Sequence, residues 1–517
     1  MPEKQNTKPV TRVMDVEQNV CRIERVGEPC VFVLFGASGD LAARKVLPAL
    51  YTLFLRRLLP ERFLIVGAAR TPYSDESFRE KTGEALKAEA VSLAIEDWEK
   101  FARHLFYVEV DYGSDASIKA LRSRLSGLED RYGTTSKRIF YLALPPALYQ
   151  DVAESLGRAG MSRAGDTPSS LIIEKPFGES LETSRALTRS IHQYFDEPQI
   201  YRIDHYLGKE TVQNILMFRF SNAIFEPIWN RQYVDHVQIT ASESIGVEHR
   251  AGYYDQAGVI RDMFQNHMLQ LLALTAMEPP SRFAAEAVRD ERSKVFRSVR
   301  PFDARKLKGH WVTGQYGRGR VNGEDVAAYR EERNVPSSSV TPTYAAGIFH
   351  IDNWRWNGVP FYLRSGKRLA RGVTEIAIQF RAAPHRMFDT VLPEAAGPNV
   401  LVFRVKPGEG IMQSFYTKVP GSRLCLQQVQ MVFSYQAVQG APLDGYQRVL
   451  LDCMTGDRML FVRQDGVELA WELLDPVIAG LTEGPQPEVY TAGEQGPPGA
   501  EELLGQSGRS WRNLTRD

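Results

Sequence analysis

The run Cys30-Val31-Phe32-Val33-Leu34-Phe35 passes straight into Gly36-Ala37-Ser38-Gly39-Asp40-Leu41-Ala42, and nothing else in the chain restricts the fold as much. A short, unbroken apolar run suits a parallel strand buried on both faces. A helical stretch through Arg57 follows the glycines. G-x-x-G-x-x-A at a strand-to-helix turn lets the backbone approach a pyrophosphate, and the helix start offers unpaired N–H groups and positive dipole. The small Ala42 allows close helix–strand packing. A tight turn without ligand is the plain alternative; the setting between strand and helix favours the nucleotide reading.

The next strand, Phe63 to Val66, leads to Gly67-Ala68-Ala69-Arg70-Thr71. A site for NAD usually places a carboxylate here, whereas NADP needs a cation for its 2′-phosphate. Arg70 and the lack of an acid point to NADP, against a surface arginine with no partner. Alternation then continues. A helical region from Asp75 to Arg103 precedes a strand at Leu105 to Val110, and a helix near Ser117 to Tyr132 precedes strands at Ile139 to Leu144 and Leu171 to Ile173. Such alternation predicts a doubly wound parallel sheet with ligands at the carboxyl ends of its strands. Leu144-Pro145-Pro146 and Glu174-Lys175-Pro176-Phe177-Gly178 fall at such ends, which puts Lys175 where cofactor and substrate could meet.

Composition removes several function classes. Lys+Arg and Asp+Glu stand at 63 each, so no global field draws the chain to nucleic acid or an anionic membrane. The four cysteines form no CxxC pair or zinc spacing and read as free thiols of a cytoplasmic protein. No apolar run has the length of a membrane span. At 517 residues the chain exceeds a single core. Residues 1–26 read as a loose tail, and Gly484 to Ala500 and the serines between Pro336 and Pro342 as irregular surface segments.

Arg202-Ile203-Asp204-His205-Tyr206-Leu207-Gly208-Lys209-Glu210 follows one more helix and strand. A helix beginning at His205 would put His205 and Lys209 at i and i+4, a cationic pair that with Tyr206 could grip a phosphate. An exposed helix start capped by Asp204 is the alternative. Further on, Ile260, Met263, Phe264, His267 and Leu271 form the apolar stripe of a helix, which buries His267. A lone buried histidine is commonly a satisfied core residue. An imidazole oriented by a carboxylate, with Asp204 as a possible partner, is also what removal of an alcohol proton requires. Beyond about Ser281, apolar runs at 345–351, 359–363, 373–380, 400–405 and 425–433 lack intervening helices and predict an antiparallel sheet. Leu401, Phe403 and Val405 alternate there with Val402, Arg404 and Lys406. A one-sided sheet of this size needs cover, so a homodimer is expected.

With these segments in view, the chain resembles the glucose-6-phosphate dehydrogenase family from about Val31 to Trp511. The resemblance rests on GASGDLA (36–42), YLALPP (141–146), EKPFG (174–178), RIDHYLGKE (202–210), GYYDQAGVIRDMFQNH (252–267), DNWRWNGVPFYLRSGK (352–367) and FVRQDGVELAW (461–471). It implies an α/β, Rossmann-like doubly wound NADP-binding domain at 27–204. An α+β domain at 205–517, with a large mainly antiparallel sheet, would bind substrate and dimerise. It implies His267 as base for the C1 hydroxyl of glucose 6-phosphate, oriented by Asp204. His205, Tyr206 and Lys209 would hold the phosphate, and Glu243, Asp262 and Lys367 the sugar. Lys175 would lie between sugar and nicotinamide. NADP would be held by Gly36, Ala37, Ser38, Gly39, Asp40, Leu41, Arg70, Tyr149 and Lys175. No metal is expected, the Lys175–Pro176 bond is a candidate cis peptide, and the assembly would be a homodimer or a dimer of dimers.

Departures from the family pattern also stand out. Gly372 occupies a position where many members carry a basic substrate contact, with Arg371 beside it, and Lys406 replaces a common Gln. Val373, Ala377, Met412 and Ser414 stand where animal members bind a second, structural NADP, so none is expected here. The rival readings are an EKP-type oxidoreductase acting on an unphosphorylated sugar and a non-catalytic NADP sensor.

Overall fold

The computed structural model describes residues 27–514, leaving out 90, 92, 135–136, 164–168, 386, 389–396, 423 and 436–442. The expected tail and Cys21 lie outside the described residues. The first half forms a six-stranded, wholly parallel sheet from β1 (Cys30–Phe35), β2 (Phe63–Ala69), β3 (Leu105–Glu109), β4 (Arg138–Leu142), β5 (Ser170–Ile173) and β6 (Ile200–Arg202). Its order β3-β2-β1-β4-β5-β6 reverses direction between β1 and β4, and ligands of such sheets bind at that crevice. Every residue of β1, β2 and β5 is buried, as a sheet covered on both faces demands. The single helical region expected from Asp75 to Arg103 is two helices, Asp75–Ala88 and Ile95–Ala102. The first is started by Ser74 and Ser77 in a reciprocal cap.

The second half forms a ten-stranded sheet. Its strands are β7 (Val234–Ser242), β8 (Trp311–Val321), β9 (Glu324–Val326), β10 (Tyr344–His350), β11 (Pro360–Gly366), β12 (Val373–Phe380), β13 (Val400–Lys406), β14 (Gly410–Lys418), β15 (Leu426–Ser434) and β16 (Glu488–Ala492). The path runs β15-β14-β13-β12-β7-β11-β10-β8-β16, with β9 beside β8. Pairing is antiparallel except for β7 with β11 and β8 with β16. Two expectations change here. The stretch 484–500 holds strand β16 and the start of the helix Pro498–Gly505, because its Val489-Tyr490-Thr491 core pairs in register with β8. In β13, Val402 is as buried as its neighbours, packing with Ala377 and Met412 on the opposite face, so the strand is covered on both sides at that point.

Between the sheets lies the helix that carries His267. Gly258 breaks it with φ +64, a conformation open to glycine at little cost. From Ile260 to Met268 it is a π-helix, continuing as an α-helix through Leu269–Ala276. From Asp262 to Ala276 every residue is buried, so the one-sided stripe expected from the sequence is replaced by burial all round. The carbonyls at its C-terminal end, which lack partners within the helix, are met by buried side chains. Trp229 donates to Thr275 at 2.8 Å, Trp356 to Ala276 at 2.7 Å and Arg219 to Met277 at 2.8 Å.

Candidate active site

The loop after β6 is the centre of the site. It is a pair of tight turns rather than a helix: Leu207 N–H donates to the Asp204 carbonyl and Lys209 N–H to the Tyr206 carbonyl. The helix starts only at Glu210, with Lys209 as its N-cap. The expected i, i+4 pairing of His205 and Lys209 on one helical face is therefore corrected, because turns and not a helix join the two residues. The expected cationic pair changes too. Burial, reinforced by the neighbouring His267, holds His205 well below the usual imidazole range.

Asp204 and His267 meet. The imidazole Nδ1 lies 2.5 Å from Asp204 Oδ1, and both residues are 1 % exposed. The same oxygen accepts the Tyr206 N–H at 3.0 Å. Burial pushes the Asp204 carboxyl up, but His267, His205 and the Tyr206 N–H together more than offset it and hold the group at about 2. Burial lowers His267, only partly opposed by Asp204. The resting pair is thus a carboxylate accepting from Nδ1–H of a neutral imidazole, which leaves Nε2 as the basic nitrogen. Tyr206 stacks on the imidazole with centroids 4.1 Å apart, and His205 meets its edge at 4.7 Å. Asp204, His205 and His267 also bring three potential metal-ligand atoms within 4.8 Å of one another. The short bond already commits the near oxygen of Asp204 to the imidazole.

The π-helix explains how Asp262 shares this site. Residues five apart on an α-helix point about 140° away from each other. The wider π turn brings Asp262 and His267 toward one side, where each alters the other's charge. Lys175 crosses from the first sheet to donate to the Asp262 carbonyl at 2.8 Å and to its carboxylate at 3.2 Å. Burial would raise Asp262, but Lys175, Lys367 and Arg250 more than offset it. Glu243 and Lys367 follow the last residues of β7 and β11, a parallel pair with Ser242 beside Gly366, so both project from the same end and form a 2.5 Å ion pair. Tyr254 lies under that ammonium at 5.0 Å.

At the nucleotide end, Gly36 has φ +77, and a Cβ there would stand 2.2 Å from the Ala143 carbonyl oxygen. Only glycine lets β1 turn this close to β4. Ser38, Gly39, Asp40 and Arg70 are exposed beside the turn, Ala37 and Leu41 are more covered, and Thr71 donates to Ser38 at 2.9 Å. That bond ties the end of β2 to the glycine turn and sets Arg70 next to it. Backbone room, a helix start and an exposed guanidinium fit a dinucleotide phosphate. Tyr149 is different. Its side chain is fully buried and its hydroxyl donates to the Glu174 carbonyl at 3.1 Å, which puts it behind the site wall and not on an open face. Lys175–Pro176 is cis, as is Lys406–Pro407, which no sequence signal marks. Sequence reasoning also missed Arg250, 3.9 Å from Asp262, and the phenol cluster around Glu174. Neither carries a periodic or spacing signal.

Family models for the NAD-binding and C-terminal domains of glucose-6-phosphate dehydrogenase match residues 33–214 and 216–512. The chain belongs to the glucose-6-phosphate dehydrogenase family. It is 47 % identical to the glucose-6-phosphate 1-dehydrogenase of Aggregatibacter actinomycetemcomitans over 94 % of this chain and 97 % of that one. Identity to the Treponema pallidum protein of the same name is 44 %, over 94 % and 95 %. Among solved structures it resembles a glucose-6-phosphate dehydrogenase in complex with glucose 6-phosphate, with TM-score 0.87 and 34 % identity over 95 % of this chain and all of that one. The Mycobacterium avium glucose-6-phosphate 1-dehydrogenase gives TM-score 0.82 and 31 % identity over 95 % and 100 %.

Proposed function

We propose that the buried His267–Asp204 pair is the proton-accepting centre of the family's reaction in this chain. That reaction is oxidation of D-glucose 6-phosphate at C1 to 6-phospho-D-glucono-1,5-lactone, with reduction of NADP to NADPH, the first step of the oxidative pentose phosphate pathway. The observation that carries the assignment is the 2.5 Å contact between Nδ1 and Asp204. It fixes the tautomer, so Nε2 takes the C1 hydroxyl proton, and the Asp204 carboxylate stabilises the imidazolium that forms. NADP, when bound, supplies the hydride acceptor.

The remaining roles follow from charge and position. His205, Tyr206 and Lys209 bind the 6-phosphate, and this distant anchor aligns C1. Glu243, Asp262 and Lys367 take the sugar hydroxyls, and Lys175 bridges Asp262 to the cofactor side. Gly36 to Leu41 receive the pyrophosphate, and Arg70 the 2′-phosphate. Residues 27–204 and 205–517 are read as the two functional domains. Strand β15, an edge with Met431 56 % exposed, supports pairing with a second copy in a homodimer or dimer of dimers. Among the described residues no helix is long and apolar enough to cross a membrane, which accords with a cytoplasmic setting. The test is NADPH absorbance at 340 nm with glucose 6-phosphate against glucose. Equal kcat/KM on both would remove the phosphate assignment and favour an enzyme of unphosphorylated sugars.

A further inference from the structure

Glu174 stands directly before Lys175, yet the proposed reaction gives it no task. It is 8 % exposed, and phenols from three elements converge on it. Tyr141 of β4 donates to Oε1, the Tyr446 hydroxyl of the helix Gly445–Thr455 lies near enough to pull the same carboxyl down, and Tyr149 of the helix Tyr149–Arg158 holds its carbonyl at 3.1 Å. The Tyr446 ring lies parallel to His205, with centroids 6.1 Å apart and planes 13° from parallel. Two glycines hold that helix against the phosphate loop. A Cβ on Gly445 would lie 2.7 Å from the His205 carbonyl oxygen, and one on Gly208 2.6 Å from the Gly445 oxygen.

We propose that Glu174 is a positioning residue joining the two ends of the substrate site, holding Lys175 through its backbone and His205 through Tyr446, and that it does so fully only when ionised. A carboxylate accepts from Tyr141 and attracts the nearby Tyr446 hydroxyl. A carboxylic acid has a proton of its own to place, so the phenol facing that oxygen must turn from donor to acceptor. The groups facing Glu174 are the three phenols, Lys175 and Asp204. Burial pushes its carboxyl up to about 7, with the phenols and Lys175 pulling down and Asp204 adding to the rise. With a raised folded value, the group's contribution to folding is fully present below the ordinary carboxyl range and is lost as pH climbs through 7. The ionised form is thus the less stable and, on this proposal, the better binder.

Glu174→Gln keeps the shape and stays neutral, so it imitates the protonated form. This inference rests on the site reading above. The two fail differently: an active His267→Asn enzyme sinks that reading, while a Glu174→Gln enzyme with wild-type KM sinks this one. KM for glucose 6-phosphate is measured for the full chain and for Glu174→Gln from pH 6 to 8.5. Their ratio cancels the ionisation of the substrate itself. The expected ratio is about tenfold at pH 8.5 and within about twofold at pH 6, with KM for NADP changed less than twofold. Thermal melting at pH 8 should give a midpoint no lower than wild type. A purely structural role predicts the reverse, a lowered midpoint and a ratio independent of pH, and either result overturns the proposal. Tyr446→Phe removes only the hydroxyl. It should raise the same KM, and combined with Glu174→Gln it should add less than the product of the single effects; full multiplicativity would also overturn the link.

Discussion

The two sheets deliver the residues of the candidate site by the same rule at different density. In the six-stranded sheet every pair is parallel, and β1, β2, β5 and β6 each send a site residue from the carboxyl end: Gly36, Arg70, Lys175 and Asp204. In the ten-stranded sheet most neighbours run in opposition, and the site draws on β7 and β11, an internal parallel pair, for Glu243 and Lys367. Strand direction therefore decides which end gathers charge. A parallel sheet offers a whole row of such ends, while a mixed sheet offers them only where two strands agree.

This division predicts separable kinetics, and cross-effects would break it. The largest effect belongs to His267, which serves both halves: His267→Asn should lower kcat by about 10³-fold, within the usual span for a positioned base, while NADP still binds in a fluorescence titration. Lys209→Ala removes the charged contact to the phosphate proposed above and should raise KM for glucose 6-phosphate by roughly 30-fold, as loss of a charge-assisted bond implies. Lys367→Ala, on the second sheet, should raise the same constant about tenfold and leave KM for NADP unchanged. Arg70→Ala, on the first sheet, should do the converse, raising KM for NADP about tenfold with little change for NAD. A sizeable change in glucose 6-phosphate binding from Arg70→Ala would contradict the division. The smallest effect concerns pH. Because burial lowers His267, the base stays neutral to lower pH than a free imidazole. The acid limb of kcat should fall below about 6.5, and a limb above that value would mean that Asp204 dominates.

Legibility in the sequence follows the same divide. The first sheet is readable because buried parallel strands appear as unbroken apolar runs ending in glycine, as at Val31–Gly36 and Phe63–Gly67. In the second half, β8 escapes such a reading: Gly314, Gly317 and Gly319 interrupt its apolar pattern, and Gly319 is needed where Ala492 approaches within 2.1 Å of a Cβ position. Strand β16 is hidden by flanking prolines and glycines. Within the site, identities are legible but geometry is not. Asp204 and His267 can be named from their neighbours, yet their contact depends on a long crossover, and the turn at 204–209 mimics a helix because its residues repeat at helical spacing. The π-helix at 260–268 leaves no mark in an α-periodic reading.

That helix has one further consequence. Its front is set by the break at Gly258 and its rear by Arg219, Trp229 and Trp356, so the stretch between works as a ruler of fixed length. A single-residue insertion or deletion in its α-helical part, Leu269–Ala276, would swing the imidazole around the axis by about 100° relative to those rear anchors. Point substitutions along this α-helical part can be repacked, whereas a change in its residue count moves the imidazole itself, so variation in length among descendants of this chain should avoid it.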